Sequence, residues 1–136
     1  MQRPPVSPFL LFTLGMLCLA TGCASTVTVL CHSDPRCATI YSAAGRNFGR
    51  TPVRLVYTLS REQRGQDTVH VGRIIARWVS GASDTANLFI PLKPWTPWQE
   101  HTFLRPAGAP NLDIDVGYAR ELETKRITVD GRIHTP

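Results

Sequence analysis

The chain has 136 residues, is 43% hydrophobic and 18% charged, and carries a net charge of +5. That length holds one domain with a real core and excludes a string of several. Thirteen of its fifteen cations are arginine, no window holds a run of four, and no nucleic-acid motif is present; a nucleic-acid partner is not expected, while a basic surface suits anionic headgroups or envelope polymers.

Residues 1–8 are polar with one cation, Arg3, and residues 9–20 are mostly apolar. A positive start, an apolar run and small residues after it are the parts of a secretory signal. The run falls short of the roughly 20 apolar residues that span a bilayer. It closes on Leu19-Ala20-Thr21-Gly22-Cys23, which resembles the lipobox of bacterial lipoproteins. The resemblance implies that residues 1–22 are a cleaved signal peptide and that Cys23 carries a diacylglycerol. Ala24, which is not aspartate, implies delivery to the outer membrane, facing the periplasm. An uncleaved membrane helix and a plain secretory signal are the rival readings.

Residues 23–36 read as a lipidated tether and a disulfide loop, although 26–30 also suit a first strand. With Cys23 lipidated, the export context pairs Cys31 with Cys37 around an Asp34-Pro35 turn. The C-x5-C spacing is not the C-x-x-C of redox sites, and further metal ligands are not close by.

Residues 37–136 read as one β domain. Residues 38–41 and 53–60 are strand-like, with Val53, Leu55, Tyr57 and Leu59 on one face. Between them lies a glycine-rich connection. Ala38-Thr39-Ile40-Tyr41, a glycine turn, then Gly49-Arg50-Thr51-Pro52-Val53 resembles the PEGA domain. Gly45 and Gly49 suit positive φ, and Pro52 suits the opening of a strand. The resemblance implies a small immunoglobulin-like β-sandwich of envelope proteins, without enzymatic activity, with Gly45, Gly49, Thr51 and Pro52 as its turn motif. Residues 76–82, 103–106 and 108–113 look like later segments of uncharacterised proteobacterial lipoproteins with the same PEGA-like start.

Residues 61–67 read as a polar loop. Residues 68–79 form a strand whose apolar parity switches near Gly72-Arg73, predicting a bulge. A turn at 81–84 precedes an apolar run at 85–90. Residues 91–100 hold three prolines and two tryptophans and predict an extended loop. A short strand follows at 101–105. Residues 113–125 suit either a strand, through Ile114, Val116 and Tyr118, or a helix, through Tyr118, Leu122 and Lys125. Asp130-Gly131 is a hairpin signal. The expected class is mostly β, with a possible short C-terminal helix.

No hydrolase, metalloprotease or nucleotide-binding signature is present. His32, His70, His101 and His134 are widely spaced, and Asp113 and Asp115 on a strand would share a solvated face. Neither an enzyme nor a cofactor is expected. Trp78 reads as core. Trp95 and Trp98 on a stiff loop either stack on a sugar or a partner, or cap the sandwich. The first reading is a non-catalytic structural or protein-interaction module, with the membrane and envelope proteins as partners. The alternative is a peptidoglycan or glycan binder using Trp95 and Trp98.

Overall fold

Alternation along one strand sets the fold. In strand β1 (Ser25–Asp34), Val27, Val29, Cys31 and Ser33 are buried and the residues between them face outward. The computed structural model describes residues 25–129; Cys23, His134 and the Asp130-Gly131 turn lie outside them. β1 pairs antiparallel with β4 (Val53–Leu59) and parallel with β7 (Trp98–Leu104), giving a three-stranded sheet with β1 in the middle. The expectation of a tether over 23–36 is therefore corrected from Ser25 onward. Its β-branched alternation makes this stretch a central strand, as half-buried strands require.

The second sheet is antiparallel, in the order β3 (Asn47–Arg50), β2 (Thr39–Ser42), β5 (Thr68–Arg77), β6 (Ser83–Pro91). Val27, Leu55 and Phe103 from the first sheet join Ile40, Ile74 and Ile90 from the second in one buried cluster. The molecule is thus a small, mostly-β sandwich with a C-terminal helix. The two strands expected around the glycine-rich connection are not partners. The connection carries β3, which pairs with β2, and β4 crosses to the other sheet.

The predicted bulge is present: the β5–β6 register shifts between His70 and Gly72, and Gly72 has φ +126°. Val69 is buried before it, and Ile74 and Ala76 after it, which is the parity switch seen in the sequence. The polar loop after β4 contains one helical turn, α1 (Arg61–Arg64), closed by a reciprocal Ser60–Gln63 capping box. The tryptophan loop is shorter than expected, because Pro91 ends β6 and Trp98 begins β7. Residues 112–129 form helix α2 (Leu112–Val129), which replaces both the strand alternative and any strand before the Asp130-Gly131 turn. No helix among the described residues is long and apolar enough to cross a membrane.

The sandwich has two distinct ends. Ser25 pairs with Leu59, Thr28 with Trp98 and Thr68 with Pro91. The leading end therefore carries the start of β1, α1 and the 92–97 loop. The far end carries the β1–β2, β3–β4 and β5–β6 turns and α2.

Two glycines with open space around them separate backbone strain from crowding. Neither Gly72 nor Gly117, within α2, has anything within 4 Å of an added Cβ. Gly72→Ala must place a side chain at φ +126° and is expected to lower the unfolding free energy by about 1–3 kcal/mol. Gly117→Ala is expected to raise it by roughly 0.5–1 kcal/mol, as in an exposed helix interior. Urea unfolding of both variants checks this; equal effects would contradict the bulge geometry.

Candidate functional site

Helix α2 is fixed to the far end by a buried polar cluster. Asp115 is 1% exposed. One carboxylate oxygen accepts the Ser80 backbone N–H at 2.8 Å; the other accepts the Ser80 hydroxyl and the Arg105 Nε, each at 2.6 Å. Arg105 also donates Nη1 to the Ala109 carbonyl at 2.9 Å and Nη2 to the Pro110 carbonyl. Burial pushes the Asp115 carboxyl upward, but the Ser80 and Arg105 hydrogen bonds and the guanidinium charge outweigh it. The carboxyl is held below its usual range. The expectation of a solvated Asp113/Asp115 face is corrected: helical geometry separates the pair, leaving Asp113 exposed and Asp115 buried.

With α2 in place, a groove of about 110 Å³ opens at the far end. Cys37, Thr51 and Pro52 form one side, Ala119 and Leu122 the other, and Arg36, Glu123 and Arg126 the rim. A wider depression of about 440 Å³ shares Arg36, Thr51, Pro52 and Arg126 and reaches His32, Ser33 and Asp34. Arg36 pairs with Glu123 at 3.4 Å, and the Arg50 guanidinium lies 5.5 Å over the Tyr118 ring.

Of the turn motif, Thr51 and Pro52 shape this end, whereas Gly45 lies in the β2–β3 turn at the other end of those strands. Gly45 and Gly49 have φ of +86° and +111°, the backbone that glycine tolerates best. Thr51 is buried; its N–H donates to the Ala38 carbonyl and its hydroxyl pairs with Ser33 Oγ. Ser33 Oγ donates to the Pro35 carbonyl at 2.8 Å and accepts the Ala38 N–H at 3.2 Å. Trp78, buried as expected, donates Nε1 to the same Pro35 carbonyl at 2.8 Å. Strand alternation turns His32 away from Ser33, so the adjacent His32, Ser33 and Asp34 make no nucleophilic triad.

The expected Cys31–Cys37 disulfide is corrected: both thiols are free. Alternation turns Cys31 into the core, where burial pushes its thiol up to about 11. Cys37, at φ +72°, lines the groove beside α2. Burial raises its thiol too, with Glu123 adding to the shift and Arg50 and Arg36 opposing it.

The histidines do not converge. His70 stacks on Phe89 in one sheet, and His101 meets Phe103 edge-on in the other. Among the described residues no group of three His, Cys, Asp or Glu side chains is placed to hold a metal.

Trp95 and Trp98 lie at the leading end, 48% and 51% exposed. They do not plug the sandwich there. Leu92 does: it is buried, and its N–H donates to the Asp67 carbonyl at 2.7 Å. Trp98 stands on the outer face of the first sheet, in one cross-strand row with Thr28 and Val56. The Arg54 guanidinium sits 4.9 Å over its ring, a cation–π contact.

Sequence reasoning placed the glycine turns and singled out Trp95 and Trp98, leaving open whether they cap the sandwich, but missed the Arg105–Asp115–Ser80 cluster and the groove it creates. Neither residue spacing nor hydrophobic periodicity signals a buried ion pair between distant segments. No family model, no curated protein and no solved structure matches the chain.

Removing the Asp115 carboxylate leaves Arg105 charged and buried. Asp115→Ala is therefore expected to lose about 3–5 kcal/mol of unfolding free energy at neutral pH. The depressed carboxyl contributes stability above the unfolded value of about 3.9, and that contribution is lost as pH falls through the folded value. Denaturant titrations between neutral and acid pH should show wild type losing more stability than Asp115→Asn does. Parallel curves would remove Asp115 from this role.

Thiol alkylation gives a second check. Iodoacetamide should modify native Cys37 slowly, faster as pH rises through and beyond 9.0, the ordinary thiol value. Cys31 should react only after unfolding. Peptide mapping by mass spectrometry reads both, and an unreactive linked pair in the native protein would contradict the free thiols.

Proposed function

We propose that the chain is a lipid-anchored cell-envelope lipoprotein whose sandwich is a non-catalytic structural or protein-interaction module. In this reading acyl chains on Cys23 hold it to the outer membrane, facing the periplasm. Two or three acyl chains make such binding nearly permanent, at about 0.8 kcal/mol per buried methylene.

One observation carries the reading. β1 starts at Ser25, two residues after Cys23, so an anchor there holds the domain by its central strand with almost no tether. The far end then faces away from the membrane. It offers a groove with an apolar lining from Pro52, Ala119 and Leu122, rimmed by Arg36 and Arg126. Leu104, Leu112 and Ile114 are each about half exposed or more at the same end, at 62%, 51% and 48%. An apolar floor with a charged rim suits a protein contact. The alternative, a peptidoglycan or glycan binder, is favoured by the half-exposed rings of Trp95 and Trp98.

Intact mass of the protein extracted from membranes tests the anchor. The expected species starts at Cys23 and carries diacylglyceryl mass, while Cys23→Ser carries none and leaves the membrane fraction. An unacylated Cys23 in the wild-type protein would overturn the proposal.

A further inference from the structure

We infer that Trp95 and Trp98, with Arg54, form a second membrane contact beside the anchor, seating the leading end of the sandwich in the lipid headgroup layer. The inference rests on the lipid at Cys23 and adds what the anchor does not supply: an orientation.

Chain length and register carry the argument. Only Ala24 separates Cys23 from Ser25, so their Cα atoms lie at most about 7 Å apart. Ser25 is the first residue of a strand paired with β4 from that residue and with β7 from Thr28, so this end of the sandwich cannot swing far from an acylated Cys23. β7 runs parallel to β1, with Trp98 level with Thr28. Trp98 is thus about 10 Å along the strand direction from Ser25, at roughly 3.3 Å per residue. Trp95 lies three residues earlier, in the 92–97 loop that crosses this same end. The headgroup region is roughly 5–8 Å thick on each face of a bilayer. An anchored domain therefore holds Trp95 at the interface and Trp98 at its margin.

The side chains suit that layer. Trp is favoured at the membrane–water boundary, where its apolar ring and polar N–H are both accommodated. Pro94, Trp95, Thr96, Pro97 and Trp98 are all exposed, whereas buried Leu92 serves the core. The rings are thus not needed for packing. The Arg54 guanidinium over Trp98 keeps a cation beside that ring, facing the headgroup margin. A basic residue within a Debye length of a membrane surface is attracted to anionic lipid.

A glycan is the competing ligand for two exposed tryptophans. It requires the rings to face open periplasm, and their place beside the anchor argues against that.

The test uses the full lipoprotein reconstituted into phosphatidylethanolamine–phosphatidylglycerol vesicles. Matched vesicles carry bromines high on the acyl chains. The chain has three tryptophans, so Trp95→Phe/Trp98→Phe leaves Trp78 in the core as an internal reference. Bromolipid should cut wild-type emission about twofold, as expected for rings held at the boundary, and leave the double variant unchanged. Melting curves should coincide, since both rings are exposed. Vesicle flotation runs in parallel. Protein that floats with its lipid but shows no quenching overturns this inference and leaves the anchor standing. Cosedimentation with peptidoglycan that depends on both tryptophans, without quenching, returns the loop to the glycan reading. Protein that neither carries acyl mass nor floats overturns the anchor and this inference together.

Discussion

Parallel pairing between β1 and β7 is the constraint from which the arrangement follows. Parallel neighbours cannot be joined by a hairpin and require a long crossover. Here the crossover contains the entire second sheet, since β2, β3, β5 and β6 all lie between β1 and β7 in sequence. The pairing makes both strands begin at the same end. The 92–97 loop must then lie near the start of the described chain, whatever its own composition. β1 is bonded to β4 from Ser25 and to β7 from Thr28, so Ser25 is held in register with Leu59. The position of the 92–97 loop thus comes from the β1–β7 ladder, and the hold on Ser25 from the β1–β4 ladder.

The far end is organised differently, by polar groups in place of an apolar stripe. The less exposed residues of α2 are Asp115, Val116, Tyr118, Ala119 and Leu122, and of these Asp115 alone is fully buried. A helix so poor in buried apolar area needs another fastening. The cluster supplies it: Asp115 accepts from three donors, and the Arg105 fork reaches two carbonyls of the following loop. Arginine suits this role because its planar donors meet several fixed acceptors at once. A fully partnered buried ion pair adds less net stability than an apolar contact of equal size, but it tolerates only one geometry. It fixes where α2 lies and so keeps the groove between Cys37 and Leu122 open.

What could be read in the sequence was whatever alternation or turn chemistry writes locally. The face of β4, the switch at Gly72, the positive φ of Gly45 and Gly49 and the burial of Trp78 all follow from neighbours within a few residues. The pairing partners did not show, because β2–β3 and β2–β4 hairpins have the same local signals. β1 was half legible: Thr26 to Leu30 alternates well, but the expectation of an exported disulfide pulled Cys31 out of the strand reading. The helix was masked by Val116 and Ile114, which alternate like a strand, and by the missing apolar stripe. Arg105 and Asp115 gave no sign of each other. A charged residue reads as surface until its partner is brought to it, and that takes the whole fold.

In the proposed arrangement the two ends would divide the work of an anchored module. A lipid on a short linker fixes position but leaves the domain free to tilt, so a partner-binding surface would sample many directions. One more contact a short distance away removes most of that freedom. It need not be strong, because the proposed anchor would already hold the rings at a high effective concentration next to the bilayer. Two half-exposed tryptophans and one stacked arginine suffice for a contact of that kind, and they lie beside the start of β1. Ten residues of β1 span about 30 Å, so the groove beside α2 would be presented at that height above the lipid. In the proposed arrangement the reach of the molecule into the envelope is set by strand length, and its direction by the tryptophan loop.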